Sequence, residues 1–147
     1  MALHSYIKLT GELTVQKFNS NNELIDQIHV PNLIVTTGKE HVAERMINDS
    51  EVKMSHMAIG SNTAVANVGN SALGTELGRV ALTSSTRTGA NVKYTAIFPA
   101  GTGTGSITES GIFNADTAGT MMCRTTFPVI SKSNTETIAI SWTVTVG

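Results

Sequence analysis

A chain of 147 residues is one ordinary domain, long enough to bury a core. Its formal net charge is -1 and only 14% of its residues are charged, which excludes the clustered Lys and Arg of a nucleic-acid binder; 40% apolar content with so little charge excludes disorder. The single cysteine, Cys123, excludes an internal disulfide and a multi-cysteine zinc site, and no apolar run nears the ~20 residues of a membrane span. Met1-Ala2-Leu3-His4-Ser5 lacks the basic start of a signal peptide, so synthesis in a cytoplasm is expected.

Residues 5–18 read as a strand, with Ile7, Leu9, Leu13 and Val15 at alternate spacing and Gly11 as a bend or bulge. Asn19-Ser20-Asn21-Asn22 is turn chemistry. Leu24, Asp26, Ile28 and Val30 give a return strand, so an N-terminal hairpin is expected, ending at Pro31, which cannot donate to a ladder. Leu33-Ile34-Val35 leads to Thr37 and Glu40, which have capping-box spacing. A short helix over about residues 38–47 follows, with Val42, Ala43, Met46 and Ile47 on one face, stopped by Asn48-Asp49-Ser50.

Beyond Met54 the pattern is strand and turn. Met57 and Ile59 alternate around Ala58 before Gly60. Residues 61–75 are Asn-, Ala- and Gly-rich without periodicity and read as a long exposed loop. Leu77 to Ser84 and Asn91 to Phe98 read as strands joined by the turn Arg87-Thr88-Gly89-Ala90. Pro99 to Ser106 reads as a second flexible loop, and Ile107 to Asn114 and Met121 to Ile130 as strands flanking the turn Asp116-Thr117-Ala118-Gly119. In the last strand Ile138, Ile140, Trp142, Val144 and Val146 face one way and Ala139, Ser141, Thr143 and Thr145 the other, the mark of an antiparallel sheet with one buried face. The class expected is mainly β, an antiparallel sandwich or open barrel with one short helix, in a single domain over 1–147.

Chemistry is sparse. Gly101-Thr102-Gly103-Thr104-Gly105 lacks the spacing of a phosphate loop and has no helix after it. Gly38-Lys39 is followed by Glu40 where a P-loop needs a hydroxyl. His4, His29, His41 and His56 have no metal-ligand spacing, and His41 with Glu44 is one weak pair. Glu109, inside an apolar strand, reads either as a general acid or as a carboxylate bonding amides or pairing with Arg79 or Arg124; no second carboxylate, nucleophile or base accompanies it, so a structural ion pair among Arg79, Glu109 and Arg124 is expected. Cys123, in a strand interior, reads as a core or interface residue. Met54, Met57, Met121 and Met122 read as core filling or an adaptable patch. No catalytic residue, cofactor or metal is expected.

Four phrases stand in fixed order: Met54-Ser55-His56-Met57-Ala58-Ile59-Gly60, Ala72-Leu73-Gly74-Thr75-Glu76-Leu77-Gly78-Arg79, Val92-Lys93-Tyr94-Thr95-Ala96-Ile97-Phe98 and Ile107-Thr108-Glu109-Ser110-Gly111-Ile112-Phe113-Asn114. With Asn32-Leu33-Ile34-Val35-Thr36-Thr37-Gly38, over roughly residues 30 to 146, the chain resembles the N-terminal domain of phage tail-collar and tail-fibre proteins and related small stand-alone virion proteins. On that resemblance residues 1–30 are a hairpin arm outside the family pattern and 31–147 a collar-like β-domain.

The resemblance implies a non-enzymatic virion structural protein, assembled in the host cytoplasm. It would be a capsid decoration or cement protein on the head. The alternatives are a tail or baseplate adaptor or short tail-fibre component, and, third, a small-ligand or carbohydrate-binding module. The absence of a repetitive shaft favours the head. Implied partners are other virion proteins, the major capsid protein or tail and baseplate proteins, without direct nucleic acid or membrane contact. A homo-oligomer, a trimer by the symmetry of phage parts, is expected. Interface loops are expected at 61–75 and 99–106, around Asn62, Asn67, Asn70, Thr102 and Thr104, because nothing in the sequence gives them a reason to be ordered alone.

Overall fold

A computed structural model of the chain describes residues 7–47 and 50–147. His4, the first two residues of the expected strand, and Asn48-Asp49 of the expected helix stop lie outside the described residues.

The described chain forms β1 (Leu9–Phe18), β2 (Leu24–Ile34), α1 (Thr36–Ile47), β3 (His56–Gly60), β4 (Glu76–Ala81), β5 (Ser84–Thr88), β6 (Asn91–Phe98), β7 (Gly105–Phe113), β8 (Met121–Lys132) and β9 (Thr137–Val146). All strand pairs are antiparallel, in the order β4-β3-β7-β8-β2-β1-β9-β6-β5. The sheet curls into a half-barrel, as the strand spacing predicts. Leu82 and Thr83 join its two outermost strands: Leu82 N–H donates to the Ser55 carbonyl and Thr83 N–H to that of Thr95. One short connection therefore holds both ends of the sheet together.

The core lies on the concave face. Ile138, Ile140, Trp142 and Val144 are buried as their alternation predicts, with Leu13, Val15, Ile59, Phe98 and Ile107. The hairpin turn forms as its asparagines require: Asn22 takes φ 62, and Asn19 Oδ1 accepts from the amides of Asn21 and Glu23. β1 lies between β2 and β9, so the hairpin contributes to the centre of the sheet.

Several expectations fail for reasons the packing makes plain. Gly11 is no bulge, because its register with Asn32 and Val144 is regular and the shift comes at Lys17/Phe18. Glycine stands there because the Asn32 side chain occupies the space of a Cβ. Pro31 does not end β2. It sits where the strand leaves β1 for β8, which it joins at Leu33 and Ile34, so few ladder bonds depend on its missing N–H. The span Leu77 to Ser84 is two strands broken at Leu82-Thr83, and Arg87 and Thr88 belong to β5 rather than to a turn.

The helix differs most. Thr37 Oγ1 donates to the Met121 carbonyl instead of closing a capping box, and Val35 O receives the Gly38 and Lys39 amides. Gly38 and His41 are the buried helix residues, whereas Met46 and Ile47 are 80% and 86% exposed. The apolar stripe therefore meets the core at Val42 and leaves Met46 and Ile47 in water. A Cβ on Gly38 would fall against the Met122 carbonyl, a backbone atom that cannot step aside. Gly38→Ala should lift α1 from β8 and lower stability by about 1–3 kcal/mol, despite the better helix propensity of alanine; a thermal melt at or above the wild-type temperature would refute this contact.

β3 is buried on both sides. Met57 and Ile59 face the main core, while Ala58 joins a second cluster with Val35, Phe113 and Met121, covered by Leu73. The loop before β4 thus closes the outer face of the sheet.

Candidate functional site

Glu109 on β7 is fully buried and Arg124 on β8 nearly so. Arg124 Nη2 and Nε lie 3.0 and 3.1 Å from Glu109 Oε1. The carboxylate also accepts three backbone amides: Gly74 at 2.9 Å on Oε1, and Asn62 at 3.0 Å and Thr75 at 2.8 Å on Oε2. Arg124 reaches on to Asn70 Oδ1 at 3.0 Å and the Ala64 carbonyl at 3.1 Å. Thr108 Oγ1 donates to the Asn62 carbonyl, and Thr36 N–H to that of Val68.

Apart from the bonds between the two charges, the hydrogen bonds of this pair hold residues 61–75. A carboxylate with both oxygens occupied and no solvent access has no lone pair free for a substrate proton. Burying these charges is tolerated because each is paired and hydrogen-bonded. The loop read from the sequence is exposed over most of its length, as expected, but Glu109 and Arg124, 34 to 60 residues further along the chain, hold it in order.

The structure brings Glu109 and Arg124 together and leaves Arg79 out. Arg79 forms a two-pronged pair with Glu76, at 2.7 and 3.1 Å, and donates to the carbonyls of Ala115 and Ala118. Its guanidinium lies 3.8 Å over the Phe113 ring. Of the loop residues singled out, Asn67 and Thr104 are exposed, and Asn62, Asn70 and Thr102 are half-buried. Asn62 Oδ1 caps Ala64, Asn67 Oδ1 caps Gly69, and Asn70 Oδ1 accepts from Asn67 as well as Arg124. The loop 99–106 is packed rather than free: Gly103 is buried against Ile59 and Gly78, and the Pro99 carbonyl accepts from Lys132 Nζ at 2.9 Å.

His41 finds Glu51 rather than Glu44, with Nδ1 3.1 Å from Oε1. Glu51 also accepts from Asn114 Nδ2 and Thr120 Oγ1. These bonds, His41 first, hold its carboxyl below the ordinary 4.5, against an opposing effect of burial. A carboxyl lowered in the folded state contributes stability that is present above its unfolded value and lost as pH falls through the folded one. The denaturation midpoint should therefore drop as pH is taken below 4.5, and Glu51→Gln should flatten that dependence; an unchanged slope would show the tie is not coupled to folding.

His29 lies on the exposed hairpin beside Glu12 and Thr14, and His56 bonds Ser55 Oγ. No group of three or more His, Cys, Asp or Glu gathers among the described residues. Cys123 is buried, and burial pushes its thiol well above the ordinary range, opposed in smaller part by Asn32. Burial first, then Cys123, pushes Tyr94 up to about 12.

The sequence reading missed the surface beside α1. There a trough of about 890 Å³ runs between the helix and the ends of β1, β2 and β9. Its signal was the apolar helix face carrying Val42, Ala43 and Met46. Comparison of the chain with known protein families, curated proteins and solved structures finds no match.

Proposed function

We propose that this chain is a phage virion structural protein without enzymatic activity, which decorates or cements the capsid head by surface complementarity. The observation that carries the reading is that three of the four phrases behind the tail-collar resemblance form one block in space. β3, β4 and β7 hold three of them and are adjacent, with Ala58 opposite both Arg79 and Gly111. Glu109 of the last phrase bonds Gly74 and Thr75 of the second. Glu109 and Arg124, the buried charged pair, are engaged in holding this block, which favours surface contact as the working property. The single Trp142 is buried, so it offers no platform for sugar stacking, and the carbohydrate-module alternative loses its best residue.

Quantitative mass spectrometry and antibody labelling of purified particles test the reading. Many copies over the head are expected, and light scattering should find the isolated protein as a homo-oligomer, a trimer in the simplest case. A few copies at the tail or one vertex would move the protein to the adaptor role, and absence from particles would refute both.

A further inference from the structure

The trough beside α1 has a consistent chemistry. Leu9, Leu33, Val42, Ala43, Met46 and Val146 make it apolar. Among the described residues that line it, the charged ones are Lys8 and Lys39 and none is a carboxylate. Asn32 lines it too, with its side-chain amide buried. The acidic side chains Glu40, Glu44 and Glu51 line a separate hollow of about 300 Å³ against the helix, so one helix divides a basic apolar trough from an acidic polar one.

Ile7 and Met46, on its walls, are 74% and 80% exposed. Apolar side chains held in water beside a concave apolar surface mark an interaction site. We propose that the trough docks an apolar segment of a partner protein whose flanks carry Asp or Glu, the carboxylates meeting Lys8 and Lys39. The complementary sign selects an acidic partner over a neutral or basic one. The open side favours a protein over a small amphiphile, which would leave Met46 and Ile7 wet. α1 has 12 residues, so the trough alongside it can seat a segment about 18 Å long, roughly three helical turns. Met46 supplies an adaptable wall. That the partner is another particle protein rests on the function proposed above.

The test uses the full chain and particles stripped of it. Met46→Glu and Lys39→Glu alter exposed side chains and should keep the wild-type melting temperature while weakening particle binding at least about tenfold. A photo-crosslinking residue at position 46 should capture a particle-protein peptide containing Asp or Glu, and the same residue at the distant, exposed Val129 should not. Binding of both variants at wild-type strength would overturn the proposal while leaving the virion reading intact. Capture of a second copy of this chain, or of a peptide without acidic residues, would also overturn it. So would dodecanoate filling the trough with particle binding unaffected. Wild-type protein that binds no particle would remove the virion reading and this partner with it.

Discussion

Glu109→Ala should cost about 3–5 kcal/mol of stability, because it strands a buried arginine without its counter-charge. It also leaves the amides of Asn62, Gly74 and Thr75 without an acceptor. For a domain of this size the melting temperature should fall by roughly 10–15 °C. Glu109→Gln should be nearly as costly, since its NH₂ would face donors where an oxygen now accepts. The loss should be local first. Hydrogen exchange at Asn62, Gly74 and Thr75 should accelerate well beyond that of β9, since the flap has few other anchors. A double variant, Glu109→Leu with Arg124→Met, should recover part of the loss, because removing both charges leaves neither uncompensated. Double-variant stability equal to the sum of the two single losses, or unchanged exchange in residues 61–75, would refute the latch.

Trp142→Ala should cost a comparable 3–5 kcal/mol. The side chain is fully buried in β9, opposite Leu13 of β1 and Tyr94 of β6, so it touches the middle of the sheet from both sides. Few neighbours could collapse into the space, because they are held by ladders on either flank. Trp142→Phe should cost far less: the indole Nε1 has no hydrogen-bond partner, so only volume is lost. Circular dichroism in denaturant is the appropriate measurement, as Trp142 is the only tryptophan and its fluorescence disappears with it. Equal losses for the two substitutions would mean that the ring nitrogen, not packing, holds the site.

Much of the fold is legible in the sequence because side-chain alternation is a local property. Ile138 through Val144 announce a half-buried strand whatever lies beside it, and Asn19 through Asn22 announce a turn through their own backbone bonds. The curl of the sheet follows from strands of this number and spacing. The misreadings share one physical origin. A stripe on a helix shows that one face is apolar and not which surface that face meets. Gly38 lies closest to the sheet because only a glycine lets the helix backbone approach Met122; Val42 packs against the core from the edge of the trough, and Ala43 and Met46 are left to line it.

The candidate site divides in the same way. That Glu109 inside an apolar strand needs a partner follows from the cost of a buried charge, and sequence alone establishes this. Which arginine answers it depends on strand register: Arg124 reaches Glu109 from the neighbouring β8, whereas Arg79 is drawn to Glu76 three residues away and to the face of Phe113. The order of residues 61–75 was invisible for the same reason, since the groups that fix it, Glu109 and Arg124, are distant along the chain and adjacent only after β7 and β8 have paired. The sequence determined the elements and the need for a charge partner, because both are set by neighbours along the chain. The tertiary structure alone decided the pairing, the packed face of the helix and the anchoring of the loop, because each depends on contacts between segments that register and backbone approach bring together.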